Sequence, residues 1–233
     1  MKKYELTEET VTVYGKTLYR IRAVRDFGSV KTGEFGGYIE KDFPLSRCRY
    51  IEKEENLSHF GNAWVSGNAW VFDNARVYDN AWVFGNAWVF DNARVYDDTW
   101  VYGNARVYDN AWVFGNAWVF GNAKVYDDAK VYDDAWVCGD AKVYGDAWVS
   151  GNAEVFNTMH FFVQGPIGSR NGFITFYRTK DNTVEVRCGC FSGSLQKFVD
   201  RVEETHGGSR YEKEYKLAAE LAKVCIRLEG ESR

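Results

Sequence analysis

The chain has 233 residues, of which 45% are apolar and 27% charged, with a formal net charge of −4. No apolar run is long enough to span a membrane, and the mild negative charge excludes a general affinity for nucleic acid, so a soluble body without a membrane partner is expected. Five scattered cysteines, Cys48, Cys138, Cys188, Cys190 and Cys225, favour a reducing cytoplasm over a disulfide framework, and Met1-Lys2-Lys3 leads into charged sequence rather than a signal peptide.

The first element expected is an N-terminal β cap over residues 1–36, with Thr10 to Tyr14 and Lys16 to Arg25 forming a hairpin around Tyr14-Gly15. Such a cap shields the end of whatever sheet follows from pairing with another chain. Residues 37–60 read as a degenerate first coil. Ile39, Leu45, Ile51 and Leu57 recur every six residues, in phase with the alanines that follow, and Tyr38-Ile39-Glu40-Lys41 is echoed by Tyr50-Ile51-Glu52-Lys53.

From Gly61 to Phe156 a six-residue pattern, Gly/Asp-Asn/Asp-Ala-X-Val-aromatic, repeats sixteen times without interruption. Valine occupies its position from Val65 to Val155, and alanine stands two before it in every unit except at Thr99. Alternation of small and large residues marks a short strand with one buried face, while the Gly/Asp-Asn/Asp pair suits a corner that needs left-handed backbone angles. Sorting by eighteen separates three faces. The residue before valine is Trp64, Trp82, Trp100, Trp118 and Trp136 on one, and mixed Trp, Arg and Lys on the other two. Three hexapeptides per turn make a triangular prism on the order of 25 Å long at ~4.8 Å per strand.

These repeats resemble the hexapeptide-repeat left-handed β-helix family, whose small and aliphatic residues point into the prism. The resemblance implies a mainly β fold, a left-handed parallel β-helix of eighteen residues per coil over 61–156. A wider likeness, to bacterial and prophage hexapeptide-repeat proteins, rests on Tyr19-Arg20-Ile21-Arg22-Ala23, Gly36-Gly37-Tyr38-Ile39-Glu40, Asn56-Leu57-Ser58, the repeats, Thr175-Phe176-Tyr177-Arg178-Thr179-Lys180-Asp181 and Cys188-Gly189-Cys190-Phe191. It implies a phage-like context and no particular activity.

Residues 157–233 read as a small α+β domain that packs on the last coil. Strands are expected at Met159 to Gln164, Phe173 to Arg178 and Val184 to Cys190. A helix with Leu195, Phe198, Val199 and Val202 on its buried face follows, and then one burying Leu217, Leu221, Val224, Cys225 and Leu228. As alternate strand residues, Cys188 and Cys190 are expected on opposite sides.

Functionally, the family's best-known members are acyltransferases that use a histidine base beside the coils, but the sixteen repeats contain no histidine; His59, His160 and His206 lie outside them. A non-enzymatic protein without cofactor or metal is therefore expected. Trp64, Trp82, Phe84, Trp100, Tyr102, Trp118, Phe120 and Trp136 make an aromatic face of roughly 800 Å², larger than a monomer usually exposes. That predicts burial against a second copy or against the C-terminal helices. Arg106, Lys124 and Lys142 beside Tyr108, Tyr126 and Tyr144 have the composition of a nucleic-acid groove, but Asp109, Asp127 and Asp128 offset their field. The aspartate column itself reads as corner capping rather than a metal site.

A weaker candidate is an anion site at Gly165, Gly168, Ser169, Arg170 and Asn171, joined by Ser192 and Ser194 at a helix start. The expected partners are thus a second copy, and a host protein or small anionic ligand. Carried to its most specific form, the phage-like likeness implies a counter-defence protein that blocks a host factor or sequesters a nucleotide.

Overall fold

A computed structural model describes residues 2–40 and 56–229. The centre of the molecule is a parallel β-solenoid of about five turns. Its sixteen two-residue strands, β4 (Trp64–Val65) to β19 (Glu154–Val155), are the X-Val pairs of the repeat. Each pairs in register with the strand eighteen residues away, as Trp100 does with Trp82 and Trp118. Every valine from Val65 to Val155 and nearly every alanine two before it is fully buried, so the prism interior is a stack of methyl groups. Thr99 keeps its place because its hydroxyl donates to the Tyr96 carbonyl at 2.7 Å instead of remaining unpaired inside.

The corners work as their residue types require. Gly67, Gly85, Gly103 and Gly121 sit at φ of 64 to 73°, and Asp73, Asp91, Asp109 and Asp127 at 56 to 59°. Glycine and aspartate differ in what they add there. The Asp109, Asp127 and Asp97 carboxylates accept from backbone N–H groups of the next coil at 3.0 to 3.3 Å. Beside them the asparagines form ladders, each Nδ2 donating to the Oδ1 one coil on: Asn68 to Asn86 to Asn104 to Asn122, ending on Asp140. A terminal aspartate accepts without needing to donate, which suits the last rung.

Before the prism, β1 (Tyr4–Val13), β2 (Lys16–Ala23) and β3 (Phe35–Glu40) form an antiparallel sheet that continues one face of the solenoid. The hairpin turns at Tyr14-Gly15 as the sequence predicts. The first coil differs from expectation. Ile39 pairs with Val71 and Leu57 with Val77, so both occupy the valine column, not the alanine column. Gly37 takes the small-residue place, since a Cβ there would lie 2.5 Å from the Ala69 carbonyl oxygen. Periodicity misassigned the phase because eighteen residues separate Ile39 from Leu57, where the regular prism uses six between neighbouring faces. Leu45 and Ile51 lie outside the described residues.

Polar groups exposed at this end are paired by buried side chains. Lys3 Nζ donates to the Ala63 carbonyl at 2.6 Å, Asn56 Nδ2 to the carbonyls of Asp73 and Ala75 at 3.0 and 2.9 Å, and the Tyr4 hydroxyl to Leu57 at 2.9 Å. Burial and nearby Arg25 bring the Lys3 pKa down to about 8.

At the far end, β20 (Phe161–Ile167), β21 (Gly172–Arg178), β22 (Val184–Cys188) and β23 (Phe191–Ser194) form an antiparallel sheet. Helices α1 (Leu195–His206) and α2 (Arg210–Cys225) cover its outer side. The fourth strand is not evident in the sequence, because Phe191-Ser192-Gly193-Ser194 carries no apolar alternation. The inner side meets the last coil: Trp148 N–H donates to Thr175 Oγ1 at 2.9 Å, and buried Arg178 pairs with Glu154 at 2.6 Å. Helix α1 buries Phe198 and Val202 as expected. Helix α2 instead buries Tyr215, Ala218, Ala219 and Ala222 and leaves Leu217, Leu221 and Val224 exposed. Against a sheet this close, only the alanine side lets the helix backbone approach. No helix among the described residues is long and apolar enough to cross a membrane.

Candidate functional site

The tryptophan face is less open than its composition suggests. Trp64 is fully buried beneath the N-terminal cap, with Phe27 edge-on at 5.3 Å. Lys180 of the C-terminal sheet reaches back over Trp136, 4.3 Å from its ring, while donating to the Asp134 carbonyl. Between them Trp100, Trp118 and Trp136 stack at 5.3 Å, and Phe84, Tyr102 and Phe120 stack at 4.8 and 5.0 Å. Stacking covers the ring faces, so of these rings only Trp100 is more than a third exposed, at 41%. The C-terminal helices pack on their own sheet instead of on this face.

On the second face the Arg106 guanidinium stacks on the Trp88 ring at 4.5 Å. Burial raises the Asp91 carboxyl above its ordinary value. Among the described residues no cluster of His, Cys, Asp and Glu has the arrangement of a metal site.

The three histidines take different places. His59 accepts from the Lys3 N–H at 3.3 Å and lies 4.2 Å from the Tyr4 ring; burial and the Lys3 charge depress its pKa to about 4. His160 closes the other end against Phe156 and Asn157, and burial with Arg178 nearby lowers it to about 4 as well. Both imidazoles are neutral capping groups. His206, at the C-terminus of α1, lies beside Tyr215.

One cleft, of about 750 Å³, lies where the last coil, the free end of the C-terminal sheet and the two helices meet. The β20–β21 turn brings Ser169 and Arg170 to it, the end of β22 brings Arg187 and Cys188, and the turn after it Cys190. Both cysteines therefore line the same cleft, contrary to the strand alternation expected, because β22 ends at Cys188 and the chain turns at Gly189, φ 55°. Gly168 is required by close packing: a Cβ would lie 1.9 Å from the Tyr215 hydroxyl oxygen.

Trp148 and Asp146 form the solenoid wall, and Arg201, His206 and Tyr215 the helical wall. Arg187 is held between the Tyr132 and Trp148 rings, 5.7 Å from each, and its Nε is buried without a hydrogen-bond partner. Arg170 is exposed and makes no ion pair among the described residues. Arg201 is paired with Glu204 at 2.7 Å. Phe173, 41% exposed, adds an open ring to the cleft.

Of the anion-site residues read from the sequence, Ser169 and Arg170 reach this cleft and the others are engaged elsewhere. The Gly168 N–H donates to Glu214 at 2.8 Å, so it is not open to an anion. Ser194 caps α1 by accepting from the Lys197 N–H, Ser192 is within hydrogen-bond reach of the Tyr177 hydroxyl, and Asn171 closes its turn on the Gly168 carbonyl at 3.3 Å. Gly165 packs against Phe173. Arg187 was missed. Its signal was only a charged residue within a strand, and only folding places it between two rings.

These features define a parallel β-solenoid closed at both ends, with an arginine-lined cleft at its C-terminal junction. Residues 75–90, 87–103, 101–115 and 105–121 match the family described as the YdcK beta solenoid repeat. That likeness covers the middle of the prism and neither cap. No curated protein matches the chain.

Proposed function

We propose that this chain is a non-enzymatic solenoid whose C-terminal junction binds a small anionic ligand. One observation carries the reading: Arg170 and Arg187 converge on one cleft with no carboxylate partner among the described residues, while the acid lining that cleft is the single residue Asp146. A half-buried guanidinium with an unpaired Nε is strained in water-poor surroundings and is stabilised by an oxyanion. Trp148 and Phe173 offer ring faces to a flat group on the same ligand.

The hexapeptide and prophage likeness extends this reading to a counter-defence protein that sequesters a nucleotide signal or blocks a host factor. Thermal melting and titration calorimetry with inorganic phosphate, AMP and a cyclic nucleotide test it. A bound ligand at a hundred times its Kd stabilises the fold by about 2.7 kcal/mol. Arg187→Lys should weaken binding at least tenfold, since it keeps the charge and loses the fork. If none of these ligands raises the melting temperature, the reading fails.

A second reading keeps the acyltransferase chemistry of the family resemblance, because His206 lines the cleft. Acyl-CoA turnover that disappears in His206→Ala would favour it over binding alone.

A further inference from the structure

Helix α2 presents an apolar stripe to solvent on the side opposite its alanine face. Leu217, Leu221 and Val224 are 70%, 46% and 80% exposed, and Leu217 and Val224 are far more open than Trp100 at 41%. They stand at i, i+4 and i+7, the spacing of one helix face. Next to Val224 a groove of about 410 Å³ is lined by Met159 of the turn before β20, by Phe162 and Val163 of that edge strand, and by Arg227. The stripe and groove together exceed the scattered apolar residues a surface ordinarily carries.

Charges beside the stripe indicate what covers it. Lys213 lies four residues before Leu217 and Glu220 three after, both exposed and both on the same flank of the helix. Lys213 makes no ion pair among the described residues, and Glu220 makes only an exposed i,i+3 pair with Lys223. When two such helices pack antiparallel about a two-fold axis at Leu217, positions −4 and +3 of opposite copies meet on the same flank. Lys213 then faces Glu220 of the other copy, and the pair is made twice. A parallel two-fold would carry this flank to opposite sides of the seam in the two copies, and Lys213 and Glu220 would not meet. Closer to the helix end, the Arg210 stem covers Val224 of the second copy. The outcome is an apolar centre with a charged rim, as protein interfaces commonly have.

We propose that the chain forms an isologous dimer through α2, antiparallel and centred on Leu217, with the tryptophan face remaining a cohesive surface of the solenoid. This does not depend on ligand binding at the cleft, which lies beside the buried side of α2.

Sedimentation equilibrium of the full chain tests the proposal. The parent should be dimeric, and Leu217→Glu, at a site too exposed to unfold the protein, should be monomeric. Lys213→Glu should weaken the dimer at least tenfold, and Lys213→Glu with Glu220→Lys should restore it. Oxidation of Leu217→Cys should give a disulfide-linked dimer, whereas the parent, with Cys225 about two helical turns from the axis, should give none through α2. A monomeric parent overturns the proposal. So does a dimer that survives Leu217→Glu and is dissolved by Trp100→Glu, which would assign the interface to the tryptophan face.

Discussion

The two ends of the prism solve one problem with different amounts of chemistry left over. At the N-terminal end Lys3 is fully buried on the Ala63 carbonyl and Asn56 bridges two carbonyls, while Arg25 Nε and Trp64 Nε1 are the atoms left buried without a partner among the described residues there. At the C-terminal end Arg178 is spent on Glu154, but Arg170 and Arg187 are not. A cap that continues an existing sheet inherits its register and needs no cleft. One made from a separate sheet leaves a cleft against the coil, and Arg170 and Arg187 both line it.

The largest expected effect falls on the closed end. Asn56→Leu orphans the Asp73 and Ala75 carbonyls and should cost about 2 to 4 kcal/mol in chemical denaturation. If it costs less than the C-terminal variants below, the N-terminal end is not the tightly closed one.

Acid should weaken both ends together. His59 and His160 have native pKa values of about 4, below the ordinary 6.5, so the unfolded chain takes up their protons first. Their stabilisation is complete above pH 6.5 and is lost as pH falls towards 4, with a limiting slope near ~1.4 kcal/mol per pH unit for each imidazole. Denaturation midpoints between pH 7 and 4 measure it, and His59→Gln with His160→Gln should flatten the curve. Lys3 acts at the other extreme: its native pKa of about 8 means that stability rises as pH goes from about 8 towards 10.5.

Smaller effects belong to the open end. Thr175→Val removes the acceptor of the Trp148 N–H and should cost about 1 to 2 kcal/mol by urea titration. Arg170→Ala should change stability by less than about 0.5 kcal/mol. A larger loss would mean that Arg170 is a structural group, and the contrast between spent and unspent arginines would disappear.

The prism was legible because its residues answer to their nearest neighbours. Each valine, alanine and corner residue meets its own kind eighteen residues away, so a sequence period is a contact period. Helix α1 was legible for a similar reason, with one apolar face and a serine cap. Helix α2 was not. It carries leucines on one side and alanines on the other, and hydrophobicity ranks the leucines as core. The sheet beneath α2 leaves room only for alanine, a steric fact that no single-helix pattern contains.

The candidate site shows the same division. Arg170 was marked by its glycine-rich turn, yet the backbone donors expected beside it are consumed by Glu214 and by the turn itself. Arg187 became a site residue only through the Tyr132 and Trp148 rings, which belong to two different coils.

By itself, then, the sequence determined the repeat, its period, the three faces and the identity of every corner, because these depend on spacing along the chain and on intrinsic backbone preference. Tertiary structure decided the phase of the first coil, the side on which α2 packs and the meeting of arginines in one cleft. Those depend on how surfaces without a shared period fit together, and close packing is settled by the shapes of both partners at once.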